Sequence, residues 1–338
     1  MSLISHLRLY LLRAFASSTT TNNPVSAPAA LTDEPPKSRF RTDNDSSDTL
    51  TLPDGRKLGY AQYGSLMGRP IFFLHGLPGS RLEAAGFDEL GLELGARIIA
   101  VDRPGIGWSS PHPGRTLLDH PKDLEHLAKH LELDHYSVLG ISAGGPHALA
   151  CAAALPREKL KCVSIVCGLG PPDIGMSGAD WLHRLGFTVG YRYAPLSAVR
   201  WFWKRDPAGR LDLTDEKRLA LELQKPITQE KDAEGVNSDW TRLSLRSARE
   251  AFAQGFDGVA QDGRVLCMNF GFRIEDIRPD LPVQLWYGKL DTFVPLNHGE
   301  QIAARLGGRA HLRVKDETHG SILVNWTKEI LEDLVRST

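Results

Sequence analysis

One short stretch limits the fold more than any other. An apolar run at 136–139 (YSVL) leads into Gly140-Ile141-Ser142-Ala143-Gly144, and small residues that suit a helix follow over 143–155. A serine between two glycines at a strand-to-helix turn is an exposed nucleophile. The backbone is crowded there, and Gly140 and Gly144 remove the β-carbons that would clash. Ser142 then stands at a helix N-terminus, where the dipole favours developing negative charge. Pro146 suits a first helical turn, because its missing N–H had no partner to lose. Without its neighbours G-x-S-x-G is an ordinary Gly/Ser turn; the strand before it and the helix after it give it chemical meaning.

Other apolar runs extend the pattern. Residues 70–74 (PIFFL), 97–101 (RIIAV), 161–167 (KCVSIVC), 282–287 and 310–314 read as short strands. Helical spacing of apolar residues covers 81–94, 116–131 and 320–335. Buried strands alternating with helices predict an α/β fold with a mostly parallel sheet covered on both faces. Residues 49–52 and 56–63 flank Pro53-Asp54-Gly55, which predicts a hairpin at an antiparallel edge. The stretch 171–278 breaks the alternation. It has helix-like patterns and many aromatics, from Trp181 through Trp203 to Phe256, with Gly/Pro clusters at both ends. The expected organisation is therefore a core of 49–170 and 279–338 with a helical cap at 171–278.

Composition excludes several classes. The chain has 338 residues, 41% hydrophobic and 24% charged, enough for a large core and too apolar for a disordered chain. Forty basic against forty-one acidic residues give a net charge of −1, so nucleic acid is not an expected partner. Cys151, Cys162, Cys167 and Cys267 lack metal-binding spacing and read as buried free thiols. No apolar run is long enough for a transmembrane helix.

Residues 1–48 stand apart as an expected disordered extension. They hold Arg8 and Arg13, are rich in Ser and Thr, and contain no acid before Asp33. That is the composition of a mitochondrial transit peptide. A secretory signal ending at Ala14-Phe15-Ala16 is the rival, although the two arginines interrupt its apolar stretch. An extension with no address, leaving a cytoplasmic protein, is the third reading.

Three loops carry the remaining chemistry. His75-Gly76-Leu77-Pro78-Gly79 follows the strand PIFFL. Acyl transfer needs two preorganised donors for an oxyanion, and the N–H groups of Leu77 and Ala143 are the candidates. His75 sits at a strand end inside that loop and reads as structural. In Ser, acid, His order, Asp291 lies beyond the strand 282–287 and His319 beyond the strand 310–314. Asp173 is the alternative acid. Asp316 and Glu317 lie on the wrong loop for the acid, His298 reads as a helix-surface residue and His311 as a strand residue. Asp102-Arg103-Pro104-Gly105-Ile106-Gly107-Trp108-Ser109 is no phosphate-binding loop; it reads as structure packed beside the site, with Trp108 shaping the pocket.

Together HGLPG, DRPGIGWS, GISAG, YGKLDTFVP and the late THG resemble the α/β-hydrolase superfamily over residues 49–338. The likeness is to the capped branch of esterases, C–C hydrolases and proline-iminopeptidase-like enzymes. It implies an eight-stranded, mostly parallel sheet with a lid inserted after the sixth strand. It also implies Ser142 as nucleophile, Asp291 as acid, His319 as base, Leu77 and Ala143 as oxyanion donors, and no cofactor or metal. Two departures narrow the activity. Leu77 replaces the second glycine of the iminopeptidase-like HGGPG. A serine at the elbow, not an aspartate, argues against epoxide hydrolase and dehalogenase chemistry. The leading expectation is a serine hydrolase acting on a carboxylic ester or thioester of a small, mostly apolar molecule through an acyl-enzyme. A C–C bond or lactone hydrolase is the alternative. A non-catalytic ligand-binding protein of the same fold is the third reading, against which the three residues argue.

Overall fold

The computed structural model describes residues 40–225, 230–232 and 239–337. Among them are eight strands: β1 (Ser47–Thr51), β2 (Lys57–Gly64), β3 (Arg69–Leu74), β4 (Ala96–Val101), β5 (Tyr136–Ile141), β6 (Leu160–Val166), β7 (Val283–Gly288) and β8 (His311–Lys315). They form one sheet in the order β1-β2-β4-β3-β5-β6-β7-β8. β1 and β2 pair antiparallel, as do β2 and β4, and every later pairing is parallel. The Asp-Gly hairpin thus lies at the edge where the sequence placed it.

Runs of consecutive apolar residues become central strands because both sheet faces are covered. Ile71, Phe72 and Phe73 of β3 and Val138 and Leu139 of β5 are wholly buried. Their side chains alternate between two cores. Phe72 and Val138 join Leu124, Leu127 and Leu149 on one face, and Ile71, Phe73 and Leu139 join Ile322, Ile330 and Leu334 on the other. The covering helices include α1 (Asp88–Leu94), α2 (Asp119–His130) and α3 (Gly144–Ala154). The helix expected over 81–94 is split: Arg81–Phe87 is a 3-10 turn, and only then does α1 begin.

Between β6 and β7 the described residues form helices and turns without a strand. α4 comprises Trp181–Leu185 and Tyr191–Tyr193, joined by a π-helical turn at Gly186–Gly190. Then come α5 (Leu196–Trp203), α6 (Asp215–Glu222), α7 (Asp239–Ala251) and α8 (Asp257–Leu266). Trp203, Ala248, Phe252 and Val259 from this segment pack around Ile106 of the core. α9 (Asn297–Arg305) lies between β7 and β8, and α10 (Ser321–Arg336) closes the chain. All four cysteines are free and buried. No helix among the described residues is long and apolar enough to cross a membrane.

The end of the expected extension needs correction. Residues 1–39 lie outside the described residues, but 40–48 are built into the fold. Phe40 is buried with its ring 5.4 Å from that of Trp240, Arg41 pairs with Asp88 at 2.6 Å, and β1 begins at Ser47. Arg81 reaches back to Asn44 and Ser47. These ties are long-range, so local composition could not reveal them.

Two glycines offer a test of the packing. A Cβ on Gly144 would lie 2.1 Å from the Leu74 carbonyl oxygen, whereas one on Gly186, with φ −56°, meets nothing within 4 Å. Gly144→Ala is expected to destabilise by about 2–3 kcal/mol in urea unfolding. Gly186→Ala should be neutral or stabilising by up to about 1 kcal/mol. Equal effects at the two sites would refute the close approach at Gly144.

Candidate active site

Ser142 follows β5 with a positive φ of 54°, a left-handed conformation that L-residues avoid. Its surroundings hold it there. Its N–H donates to the Val166 carbonyl at 2.9 Å, and its own carbonyl accepts from Gly145 at 3.0 Å and Leu169 at 3.2 Å. A Cβ on Gly140 would lie 2.6 Å from the Gly144 carbonyl oxygen, so both glycines of the motif are sterically required. Ala143, buried, follows and α3 starts. The loop after β3 runs beside this turn: a Cβ on Gly76 would be 3.7 Å from the Ser142 Cβ. Leu77, next in that loop, is half-buried and packs against the core. His75 is wholly buried, and its Nδ1 lies 2.9 Å from the Gly76 carbonyl. Burial, reinforced by the Arg103 charge, pushes its pKa well below the ordinary histidine value. Its imidazole is therefore a buried neutral ring.

Asp291 and His319 come from the loops after β7 and β8. Because β5 through β8 are neighbouring parallel strands, these loops leave the same edge of the sheet as Ser142. Asp291 Oδ2 and His319 Nδ1 are 2.7 Å apart. Asp291 Oδ1 accepts from the backbone N–H groups of Phe293 at 2.8 Å and Val294 at 2.9 Å, which fixes the carboxylate. Burial opposes charge on either group, yet each favours the charged form of the other. The Asp291 pKa lies below its ordinary value through the His319 charge, their hydrogen bond and the two backbone donors. The His319 pKa lies above its own, through the charge and hydrogen bond of Asp291.

The rival residues are placed elsewhere. Asp173 is exposed and pairs with Arg305. Asp316 pairs with Lys289 at the surface. Glu317 accepts from Ser321, Asn325 and Trp326. His311 is an exposed strand residue. His298 is not on a helix surface as its sequence position suggested. It is buried, and its Nδ1 accepts from the Gly170 N–H at 3.0 Å; its pKa is pushed down to about 4, chiefly by burial.

Three charged residues escaped the sequence reading. Glu83, in the 3-10 turn, accepts from the Gly76 N–H at 3.3 and 3.4 Å. Enclosure pushes its pKa up to about 7, against the Gly76 hydrogen bond and the charges of Arg103 and His319. Arg103 is buried and donates to the carbonyls of His75 at 2.6 Å and Gly76 at 2.8 Å. It thereby clamps the loop that carries Leu77. Asp262 of α8 is wholly buried and binds Arg103 at 2.8 Å and Arg115 at 2.6 Å. Arg103 stood within a quoted motif, but its partner lies 159 residues away, beyond any local pattern. Trp108, expected to shape the pocket, instead lies under the Arg81 guanidinium, 4.0 Å from its ring centroid.

Among the described residues, Cys167, Asp291 and His319 bring three possible metal-ligand atoms within 4.8 Å. The carboxylate and imidazole are already bonded to each other, and burial raises the Cys167 pKa well above the ordinary thiol value. A cavity of about 180 Å³ is lined by apolar groups including Leu169, Met176, Phe187 and Leu266, with Thr188, Arg192 and His298 as polar members. Ser142, Asp291 and His319 do not line it, and its link to the serine turn is Leu169, whose N–H donates to the Ser142 carbonyl.

Comparison with known proteins agrees with this architecture. Residues 69–325 match the family model described as the alpha/beta hydrolase fold. A hydrolase of Bacillus subtilis is 35% identical over 157 residues, 46% of this chain and 51% of that protein, so the match spans about half of its length. A non-heme haloperoxidase of Rhodococcus erythropolis is 26% identical over 82% of this chain and 94% of its own. An esterase structure from Exiguobacterium antarcticum superposes with a TM-score of 0.59 at 20% identity, over 86% of this chain and 99% of that one; at that identity the likeness is one of fold. The eight-stranded sheet, the strained serine turn and the family match lead to one conclusion: the chain belongs to the α/β-hydrolase fold family.

Proposed function

We propose that the protein is a serine hydrolase that cleaves a carboxylic ester or thioester of a small, mostly apolar molecule through an acyl-enzyme. The observation that carries this reading is the Asp291–His319 hydrogen bond at the sheet edge where Ser142 stands in its left-handed turn. His319 Nε2 takes the proton from Ser142 Oγ as the oxygen attacks the substrate carbonyl. Asp291 holds Nδ1–H inward and stabilises the imidazolium. The N–H groups of Leu77 and Ala143 receive the oxyanion. His319 returns the proton to the leaving group, and water then repeats the sequence on the acyl-enzyme.

Esters and thioesters are favoured because their leaving groups need less protonation than an amine. The apolar lining of the cavity that Leu169 shares with the serine turn supports an apolar acyl or alcohol portion. The helical segment 171–278 acts as a lid in this reading: the His183 ring of α4 stacks at 4.0 Å on Phe293, which is 5.2 Å from His319. Residues 1–39 serve as a mitochondrial address, on the strength of their Arg-containing, acid-poor composition.

Ser142→Ala should lower kcat on a responsive ester by on the order of 10⁶-fold and abolish labelling by a fluorophosphonate probe, with unfolding unchanged. Retained turnover would refute the serine mechanism. Asp291→Asn should cost on the order of 10⁴-fold. It should also lower the His319 pKa, read by NMR titration of the ring, because burial then acts against the weaker charges of Glu83 and Asp232 alone.

The pH profile gives a further check. His319 must be neutral to accept a proton, so activity rises as pH increases through its pKa, which lies above the reference value of 6.5. Ionised Glu83 contributes to raising that pKa. Glu83→Gln should therefore shift the acidic limb of kcat/KM to lower pH. An unmoved limb would mean that Glu83 does not act on His319.

A further inference from the structure

The helices after β6 present a surface that the hydrolase reading does not use. From residue 181 to 205 the chain contains Arg184, Arg192, Arg200, Lys204 and Arg205, and no Asp or Glu. The whole chain carries a net charge of only −1, so this basic stretch is local. All five cations are exposed.

Apolar side chains share the same outer surface. α4 and α5 turn Phe187, Tyr191, Val199, Phe202 and Trp203 inward onto the cores. Outward they carry Trp181, Leu185, Val189, Tyr193, Leu196 and Trp201, between 38% and 66% exposed. These are six of the thirteen large apolar side chains exposed among the described residues. Such clustering marks a contact surface, whereas scattered exposed apolars do not. The charges interleave with the rings. The Arg205 guanidinium lies 4.2 Å from the Trp201 ring centroid, and that of Arg192 lies 5.2 Å from Tyr193.

Charge decides what covers this face. Among the described residues only Arg200 of the five cations has a carboxylate partner, Asp257. The acids that bound the stretch are turned elsewhere: Asp180 caps α4 and binds His183, and Asp206 binds the Ala208 N–H and Lys225. A second copy of the same face would set cations against cations. The N-terminal segment, with Arg8 and Arg13 and no acid before Asp33, has the same sign. A layer of phosphates over an apolar interior satisfies both components at once. Trp and Leu enter the acyl–headgroup boundary while Arg and Lys meet the phosphates.

We propose that the outer face of α4 and α5 docks onto an anionic lipid bilayer. α4 also reaches the site through the His183–Phe293 stack, so docking sets the pocket close to the lipid. The proposal does not depend on the ester reading, because its test measures binding alone.

The experiment is co-sedimentation of the full chain with vesicles of phosphatidylcholine, alone or with about 30% phosphatidylglycerol. Binding to the anionic vesicles should be at least about tenfold tighter, and should weaken steeply when salt rises from about 0.1 M to about 0.5 M. Leu185→Glu combined with Tyr193→Glu should abolish most of that binding. Leu66→Glu combined with Met67→Glu, at exposed apolar positions in the β2–β3 turn, should leave it intact. If the first pair fails to fold, Arg184→Gln with Lys204→Gln and Arg205→Gln should remove the anionic preference instead. Equal binding to both vesicle types, or no binding, overturns the proposal. So does full binding by a folded Leu185→Glu/Tyr193→Glu variant, which would place the contact elsewhere, for example in the N-terminal segment. Self-association broken by that variant, without vesicle binding, would assign the face to a second copy and equally overturn it.

Discussion

The missing β-carbon at Gly144 is the constraint on which the site depends. It lets the start of α3 lie directly against the end of β3, where an alanine methyl would fall 2.1 Å from the Leu74 oxygen and 3.2 Å from that of His75. Only with that closeness do the β3 loop and the Ser142 turn become neighbours. The left-handed backbone at Ser142 has an intrinsic cost of about 1–2 kcal/mol. Three backbone hydrogen bonds to β6 and the following turn offset it. The turn is therefore held from both sides, by β3 through absent atoms and by β6 through bonds.

Most of the fold was legible because its central strands are buried on both faces. Burial of that kind writes unbroken apolar runs such as PIFFL and RIIAV, and the loops after them then fall into a fixed order. Ser142, Asp291 and His319 could be picked out as loop residues after strands, and the structure brings Asp291 and His319 into contact. What stayed hidden shares a different physics. Glu83, the buried His298 and the Arg103–Asp262 pair owe their environments to distant chain segments. A polar residue in sequence looks solvated until its partner is known. The burial of Phe40 was hidden for the same reason, since its contact, Trp240, lies in α7.

Electrostatics in the interior are graded by burial. His75, His120 and His147 are all wholly enclosed or nearly so, and burial drives each below the ordinary histidine pKa, His147 to about 4. They enter the core as neutral rings. His147 also lies 3.6 Å from a buried carboxylate oxygen, that of Asp262, but burial and the charges of Arg103 and Arg115 prevail there; His319, hydrogen-bonded to Asp291, shifts in the opposite direction. One residue type thus has its protonation pushed down in three places and up in the fourth, according to the balance of charges that share its surroundings.

The Arg103–Asp262–Arg115 cluster has a consequence for the order of events during synthesis. Arg103 precedes its aspartate by 159 residues and Arg115 by 147. While the ribosome is still making the helices after β6, two guanidinium groups destined for a dry interior have no counter-charge. Burying them in that state is strongly unfavourable, on the order of several kcal/mol each. The N-terminal half of the sheet can form its backbone ladders early, but the loop clamped by Arg103 cannot close over its final packing until α8 has emerged. Helices inserted late in the chain thereby act as a timing element for the core into which they are inserted.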